Sequence, residues 1–210
     1  MNLLSSALAL RVAERHGIVT VAELIADGCS RHVLRRLVGE GLVVRVHDGV
    51  YRLASAPDTF EARCVAACAA DGEAFVTGIA AARLWGARSA PRVAEPIVLV
   101  AHDRTPMATG VVVRRSNRID ESDMVERTDG IRVASPPRTW FDCARDVDDG
   151  RFEALTEWVL DQHTTLPTLW RLTQRMESRG RPGLARVHRV MSRRADWQRP
   201  AGSRLELQVL

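Results

Sequence analysis

Basic side chains crowd two short stretches near the start of the 210-residue chain, one after Ser30 and one around a His-Asp-Gly turn. Arginine carries a planar fork of donors that can bind guanine O6 and N7, or a phosphate, through two parallel hydrogen bonds. This chemistry predicts contact with double-stranded DNA. The residues expected to make it are Ser30, Arg31, His32, Arg35, Arg36, Arg45, His47 and Arg52.

Helical and strand patterns over the first 55 residues provide the elements that would position these side chains. Apolar spacing predicts a helix that ends at Gly17, and Thr20 with Glu23 forms a T-x-x-E capping box for a second helix. Ser30 caps a third helix, and "LVVRV" and "VYRL" alternate around a glycine turn as a hairpin does. Three helices followed by a hairpin are typical of a winged helix-turn-helix.

The third predicted helix has the properties of a recognition helix. Residues at the start of such a helix usually reach base edges, which favours Arg31, His32 and Arg35 for bases and Arg36 for phosphate. The basic residues of the hairpin would contact the DNA backbone or the minor groove. Tyr51 is predicted to anchor the hairpin to the core, with a phosphate contact as the alternative. A winged helix that contacts protein, with solvated arginines, is the alternative for the whole module.

The sequence as a whole predicts an α+β protein with three parts. Residues 1–55 form the winged helix-turn-helix, residues 56–150 a mixed α/β domain, and residues 151–210 an arginine-rich helical tail. Their net charges, counted from the sequence, are +2, −3 and +5, which suits contact with nucleic acid at the two ends. The strands of the middle part are predicted at "EPIVLVAH", "GVVVRR" and "IRVAS", and its acid-rich segment "IDESDMVERTDG" is predicted to be exposed.

A second basic surface is predicted on the last helix of the tail. Its function would be a further grip on phosphate or docking to an acidic partner, and a simple solvated face is the alternative. The four side chains proposed for it are Arg186, Arg189, Arg193 and Arg194.

Catalytic chemistry has no support in the sequence. The six histidines lack HxH or HExxH spacing, and neither a phosphate-binding GxxxxGK[ST] nor a GxGxxG occurs. We therefore expect no catalytic residue, no metal site, no cofactor and no enzyme activity. Cys64 and Cys68, four residues apart among alanines, are predicted to line a core, and Arg138 with Asp142 to form an exposed structural ion pair. No apolar run is long enough for a membrane span and no targeting segment is evident, so a cytoplasmic location is expected.

Three stretches in this order resemble one family. "GIVTVAELIADGCSRHVLRRLVGEGLVVRVHDGVYRL", "FVTGIAAARLWGA" and "DGIRVASPPRTWFDCARDVD" are similar to the AbiEi antitoxins of type IV toxin–antitoxin systems and their actinobacterial relatives. The resemblance implies a transcriptional autorepressor that binds repeats in its own promoter and neutralises a nucleotidyltransferase-like toxin. It supports DNA contact by Arg31, Arg35, Arg36 and Arg45, and it implies no catalytic residue.

Some relatives with this layout continue into a domain that resembles very-short-patch repair nucleases. In those proteins a helical glutamate that matches Glu206 resembles a metal-site residue. The chain here ends at Leu210 and contains no lysine for a D…ExK arrangement. If the gene ends at this point, Glu206 is expected to be an ordinary helix residue; if it continues, this chain is expected to be the non-catalytic front of a larger enzyme. Two alternatives to the antitoxin remain, a solitary transcriptional regulator and the non-catalytic N-terminal part of a nuclease-fused protein.

Overall fold

The computed structural model describes residues 4–104 and 109–197, and within these ranges it contains nine α-helices and two β-sheets. This mixture confirms the predicted α+β class. The second basic surface lies inside the described part, whereas Glu206 lies outside it.

The N-terminal region combines three helices with a three-stranded antiparallel sheet of order β1-β3-β2. Its elements are α1 (Ser6–Glu14), β1 (Ile18–Thr20), α2 (Val21–Ala26), α3 (Arg31–Gly39), β2 (Val43–His47) and β3 (Val50–Leu53). The hairpin and the three helices agree with the sequence prediction. Strand β1 was not predicted, because three residues are too few for an alternating pattern to stand out.

Side-chain caps define where the N-terminal helices begin. The Thr20 hydroxyl accepts a hydrogen bond from the Glu23 amide at 3.2 Å, and the Glu23 carboxylate accepts one from the Thr20 amide at 2.9 Å. This is the predicted capping box. Ser30 caps α3 by accepting from the Val33 amide at 3.2 Å. Both caps satisfy amides that a helix leaves without an internal partner.

The second sheet has five strands in the order β6-β5-β4-β8-β7 and mixes parallel with antiparallel pairs. Its strands are β4 (Phe75–Val76), β5 (Ile97–Ala101), β6 (Val112–Ser116), β7 (Met124–Glu126) and β8 (Arg132–Ala134). Helices α4 (Phe60–Ala70) and α5 (Gly78–Leu84) pack against it. Cys64 and Cys68 are buried in this core, as predicted, and Ile18 and Val50 of the first sheet belong to the same cluster.

Four helices form a second core behind the five-stranded sheet. They are α6 (Pro136–Cys143), α7 (Asp149–Gln162), α8 (Leu166–Met176) and α9 (Leu184–Trp197). Trp140 of α6 stacks on Phe152 of α7 with ring centroids 5.3 Å apart, and both rings are fully buried. Helix α6 therefore shares one apolar core with the three helices that follow it.

A buried ion cluster joins the sheet side of the molecule to these helices. Asp123 ends a short 3-10 helix, Glu121–Asp123, and its carboxylate lies 2.7 Å from Nη1 of Arg138. Arg138 also donates from Nε to Asp142 at 2.8 Å. The predicted Arg138–Asp142 pair is confirmed, but it is buried rather than exposed. Asp123 is also buried, so the expected exposure of the whole acid-rich segment was wrong at this residue.

Candidate nucleic-acid interface

Helix α3 separates an apolar face from a basic one. Leu34 and Leu37 are buried against the other N-terminal helices. The opposite face is exposed along its length, and its side chains are the four that the sequence predicted: Arg31, His32, Arg35 and Arg36. The cap at Ser30 fixes the start of the helix, where the positive end of the helix dipole also favours an anion. The face is therefore suited to bind the edge or backbone of a nucleic acid.

The arginines of this face differ in what already holds them. Arg36 forms a 3.6 Å ion pair with Glu40, one turn further along, and both side chains are about half exposed. Nε of Arg35 donates to the Arg31 carbonyl at 3.4 Å. Within the described chain, no carboxylate oxygen lies within 4.0 Å of the guanidinium groups of Arg31 and Arg35. These two guanidinium groups can therefore bind a partner without first breaking an ion pair.

The hairpin of β2 and β3, which is the wing of the predicted winged helix, carries one exposed arginine. Arg45 lies on β2 and pairs with Asp48 in the turn, and both side chains are more than half exposed. Gly49 completes the turn with a φ of +66°, which explains the glycine at this position. Exposed pairs of this kind contribute little free energy, so Arg45 can exchange Asp48 for a phosphate at small cost.

His47 and Arg52 lie on the inner side of the hairpin. Both line a cleft of about 300 Å³ between the wing and α4, together with Asp58. Nη1 of Arg52 donates to the Ala56 carbonyl. Burial lowers the pKa of His47, which favours its neutral form. These two predicted DNA contacts are thus less accessible than Arg45.

The predicted second basic surface is largely occupied by acids of α7. Arg186 and Arg189 both bind the Asp149 carboxylate. Arg194 contacts Glu153 at 2.7 Å and also pairs with Glu157. Arg193, the remaining member of the set, is exposed. The sequence could not reveal these pairs because the partners lie 37 or more residues apart along the chain.

Neither a metal centre nor a membrane-crossing helix is found in the described ranges. Among residues 4–104 and 109–197, no three histidine, cysteine or acidic side chains come together as a metal ion would require. No helix there combines the length and the apolar character needed to cross a membrane.

Comparison with known proteins connects the basic helix to a regulator family. Residues 7–54 match the family model described as transcriptional regulator, AbiEi antitoxin. The N-terminal region is AbiEi-like. The AbiEi-like segment contains α1 to β3 almost completely, so it includes the basic face of α3 and Arg45. The match confirms the predicted resemblance to AbiEi antitoxins in this segment.

The comparison with solved structures finds the Rv2827c protein of Mycobacterium tuberculosis. It is 18% identical with a TM-score of 0.45, and the alignment covers 90% of this chain and 80% of that one. No curated protein matches the chain.

Proposed function

We propose that the protein is a cytoplasmic DNA-binding transcriptional autorepressor that acts as an antitoxin against a nucleotidyltransferase-like toxin. The observation that carries the proposal is the exposed basic face of α3 within a segment that matches an AbiEi regulator model. An apolar face docks the helix on its own domain, and the arginines on the other face have reach enough for bases and phosphates.

In the proposed complex, α3 lies in the major groove of promoter DNA. Arg31, His32 and Arg35 contact base edges, while Arg36 and the wing residue Arg45 contact phosphates. The division follows from the ion pairs. Arg36 and Arg45 already pair with a carboxylate, and in the complex a DNA phosphate replaces that carboxylate. Arg31 and Arg35 have no carboxylate to release among the described residues.

The test of base reading is fluorescence anisotropy on the protein's own upstream DNA and on a scrambled duplex, at two salt concentrations. Each bidentate arginine–base contact contributes about 1–3 kcal/mol of discrimination. The Arg31→Ala/Arg35→Ala variant should therefore lose about thirtyfold or more of the preference for upstream DNA. Arg88→Ala, an exposed arginine outside the AbiEi-like segment, is the matched control and should keep the preference.

Phosphate contacts give a different result in the same assay. Arg45→Ala should weaken binding to both duplexes by a similar factor. It should also reduce the slope of log affinity against log salt concentration by about one. Equal and weak binding of the two duplexes by the unaltered protein would overturn the autorepressor proposal.

The antitoxin part of the proposal has its own test. A nucleotidyltransferase-like gene next to this one would be expressed with and without the protein, and growth would be followed. Rescue of growth is the expected result. Rescue that persists in the Arg31→Ala/Arg35→Ala variant would show that neutralisation uses a surface other than α3. Absence of rescue, with upstream DNA binding retained, would leave a transcriptional regulator that is not an antitoxin.

A further inference from the structure

A basic pocket lies far along the chain from the AbiEi-like segment. It has a volume of about 250 Å³ and is bounded by the ends of β5 and β6, by α6 and by the loop between α8 and α9. We call it the arginine pocket, since six arginines line it: Arg114, Arg115, Arg138, Arg145, Arg179 and Arg181. Strands β5 and β6 are parallel, so the pocket lies beyond their carboxyl ends, where open α/β sheets commonly bind ligands.

Carboxylates do not neutralise the arginine pocket on the side of the α8–α9 loop, although Asp142 also lines it. Asp146 binds Arg114 through two hydrogen bonds of 2.9 and 2.6 Å, and its contact with Arg145 is a long 3.9 Å. Arg179 and Arg181 have no carboxylate within 4.0 Å in the part of the chain that the structure describes. Positive charge is therefore in excess at the side formed by the α8–α9 loop.

Arg138 lines the same pocket and has one hydrogen-bond donor without a partner among the described residues. Its side chain is completely buried, and Nε and Nη1 are used by the buried carboxylates described above. Nη2 has no hydrogen-bond partner among the described residues. A buried donor without a partner costs about 1–3 kcal/mol, more on a charged group, and therefore needs an explanation. An anion in the pocket would provide the missing acceptor.

Arg181 carries a partly buried positive charge that a bound anion would stabilise. Its guanidinium lies 5.4 Å from the centre of the Phe141 ring. Within the described residues, it donates one hydrogen bond, a long one of 3.4 Å to the Met176 carbonyl. Burial lowers the pKa of Arg181, and the charge of Arg138 lowers it further, with Asp142 opposing. A bound anion would oppose both effects, because it supplies the negative charge that the site lacks.

The loop that carries Arg179 and Arg181 is fixed close to α6. Gly180 and Gly183 both adopt positive φ, +75° and +85°. A Cβ at Gly183 would lie 2.7 Å from the carbonyl carbon of Ala144, at the end of α6, so only glycine permits this approach. This close approach holds the loop, and with it Arg179 and Arg181, beside the pocket.

We propose that the arginine pocket binds the phosphate monoester group of a small ligand. A phosphate monoester carries close to two negative charges and three terminal oxygens, which suits Arg138, Arg179 and Arg181 better than the single charge and two oxygens of a carboxylate. The small volume, bounded by two strand ends and a helix, suits one phosphate group and not the backbone of a duplex. This site is separate from α3 and does not depend on the proposed DNA binding.

Isothermal titration calorimetry at constant ionic strength tests the proposal. The probes are inorganic phosphate, AMP, and adenosine as the phosphate-free match. We expect phosphate and AMP to bind, and adenosine not to bind. Each charge-assisted hydrogen bond is worth about tenfold in affinity. Arg179→Gln/Arg181→Gln removes at least two such bonds and should weaken AMP binding by about a hundredfold. Arg88→Gln, an exposed arginine outside the pocket, and Arg31→Ala/Arg35→Ala should bind AMP as the unaltered protein does.

Three results would overturn the proposal. One is the absence of heat from phosphate and AMP with the unaltered protein. Another is equal AMP affinity in Arg179→Gln/Arg181→Gln and Arg88→Gln. The third combines two observations: a duplex without terminal phosphates displaces phosphate, and Arg179→Gln/Arg181→Gln loses affinity for scrambled DNA. The pocket would then bind the DNA backbone. If the double variant fails to fold, as judged by circular dichroism, Arg179→Gln alone provides the comparison, because Arg179 is exposed.

Discussion

Asp123 is the acid on which the junction between the five-stranded sheet and the helical core depends. Its side chain is only 2% exposed. It accepts hydrogen bonds from Nη1 of Arg138 at 2.7 Å, from Nη1 of Arg175 at 3.0 Å and from the Asp120 amide at 3.1 Å. Nη2 of Arg175 also donates to the Asp123 carboxylate. The substitution Asp123→Ala removes all four of these contacts and leaves the Arg138 charge buried.

The size of the effect follows from what remains around Arg138. Breaking a buried ion pair by removing one partner costs about 3–5 kcal/mol. Asp142 still accepts from Nε of Arg138 at 2.8 Å, which places the expected loss near the lower end, about 3 kcal/mol. Arg175 adds little, since its side chain is a third exposed and water can replace Asp123. A loss of this size is a large fraction of the roughly 5–15 kcal/mol that stabilises a typical domain.

Urea unfolding at pH 7, followed by tryptophan fluorescence, measures the free energy of unfolding in each variant. Asp48→Ala is the matched control, because the Asp48 side chain is 87% exposed in its pair with Arg45. The control should lose at most about 1 kcal/mol. The reasoning would be refuted if Asp123→Ala unfolded with an unchanged denaturant slope and lost no more free energy than Asp48→Ala.

Further predictions concern a close backbone approach, an acidic cap and a half-buried histidine. Gly183→Ala should lower the midpoint of urea unfolding more than Gly180→Ala. Both positions have positive φ, but only a Cβ added at Gly183 would collide with backbone. Equal decreases in the midpoint would contradict this. Burial raises the pKa of Glu23, but hydrogen bonds from Thr20 and the neighbouring Arg15 together outweigh it and lower the pKa below 4.5. The stabilisation by Glu23 is therefore present above that pH and lost in acid. The gap in unfolding free energy between the unaltered protein and Glu23→Gln should thus narrow from pH 7 to pH 3, and a constant gap would argue against the cap. Since burial favours neutral His47, His47→Gln should keep upstream DNA affinity within about twofold, and a tenfold loss would indicate a charged phosphate contact.

Local sequence patterns were sufficient for most of the N-terminal region. The capping box of Thr20 and Glu23, the cap at Ser30 and the hairpin turn at Gly49 all appear as predicted. Each depends on residues no more than four positions apart, whose chemistry acts in the same way in most folds. The basic face of α3 has the same origin, because apolar spacing alone determines which side of a helix is buried. Strand β1 was missed since its pairing with β3 involves residues about thirty positions away.

The sequence by itself therefore determined the AbiEi-like helices, their caps and the exposed basic face that we propose for DNA. Tertiary structure alone decided which of the other charges are neutralised. Asp123 meets Arg138 and Arg175 across 15 and 52 residues, and Asp149 meets Arg186 across 37. These contacts depend on how distant elements pack, and so does the lack of a hydrogen-bond partner for Nη2 of Arg138 within residues 4–104 and 109–197. Burial sets the electrostatic energy of a charge, and burial is a property of the packed fold that no local spacing encodes.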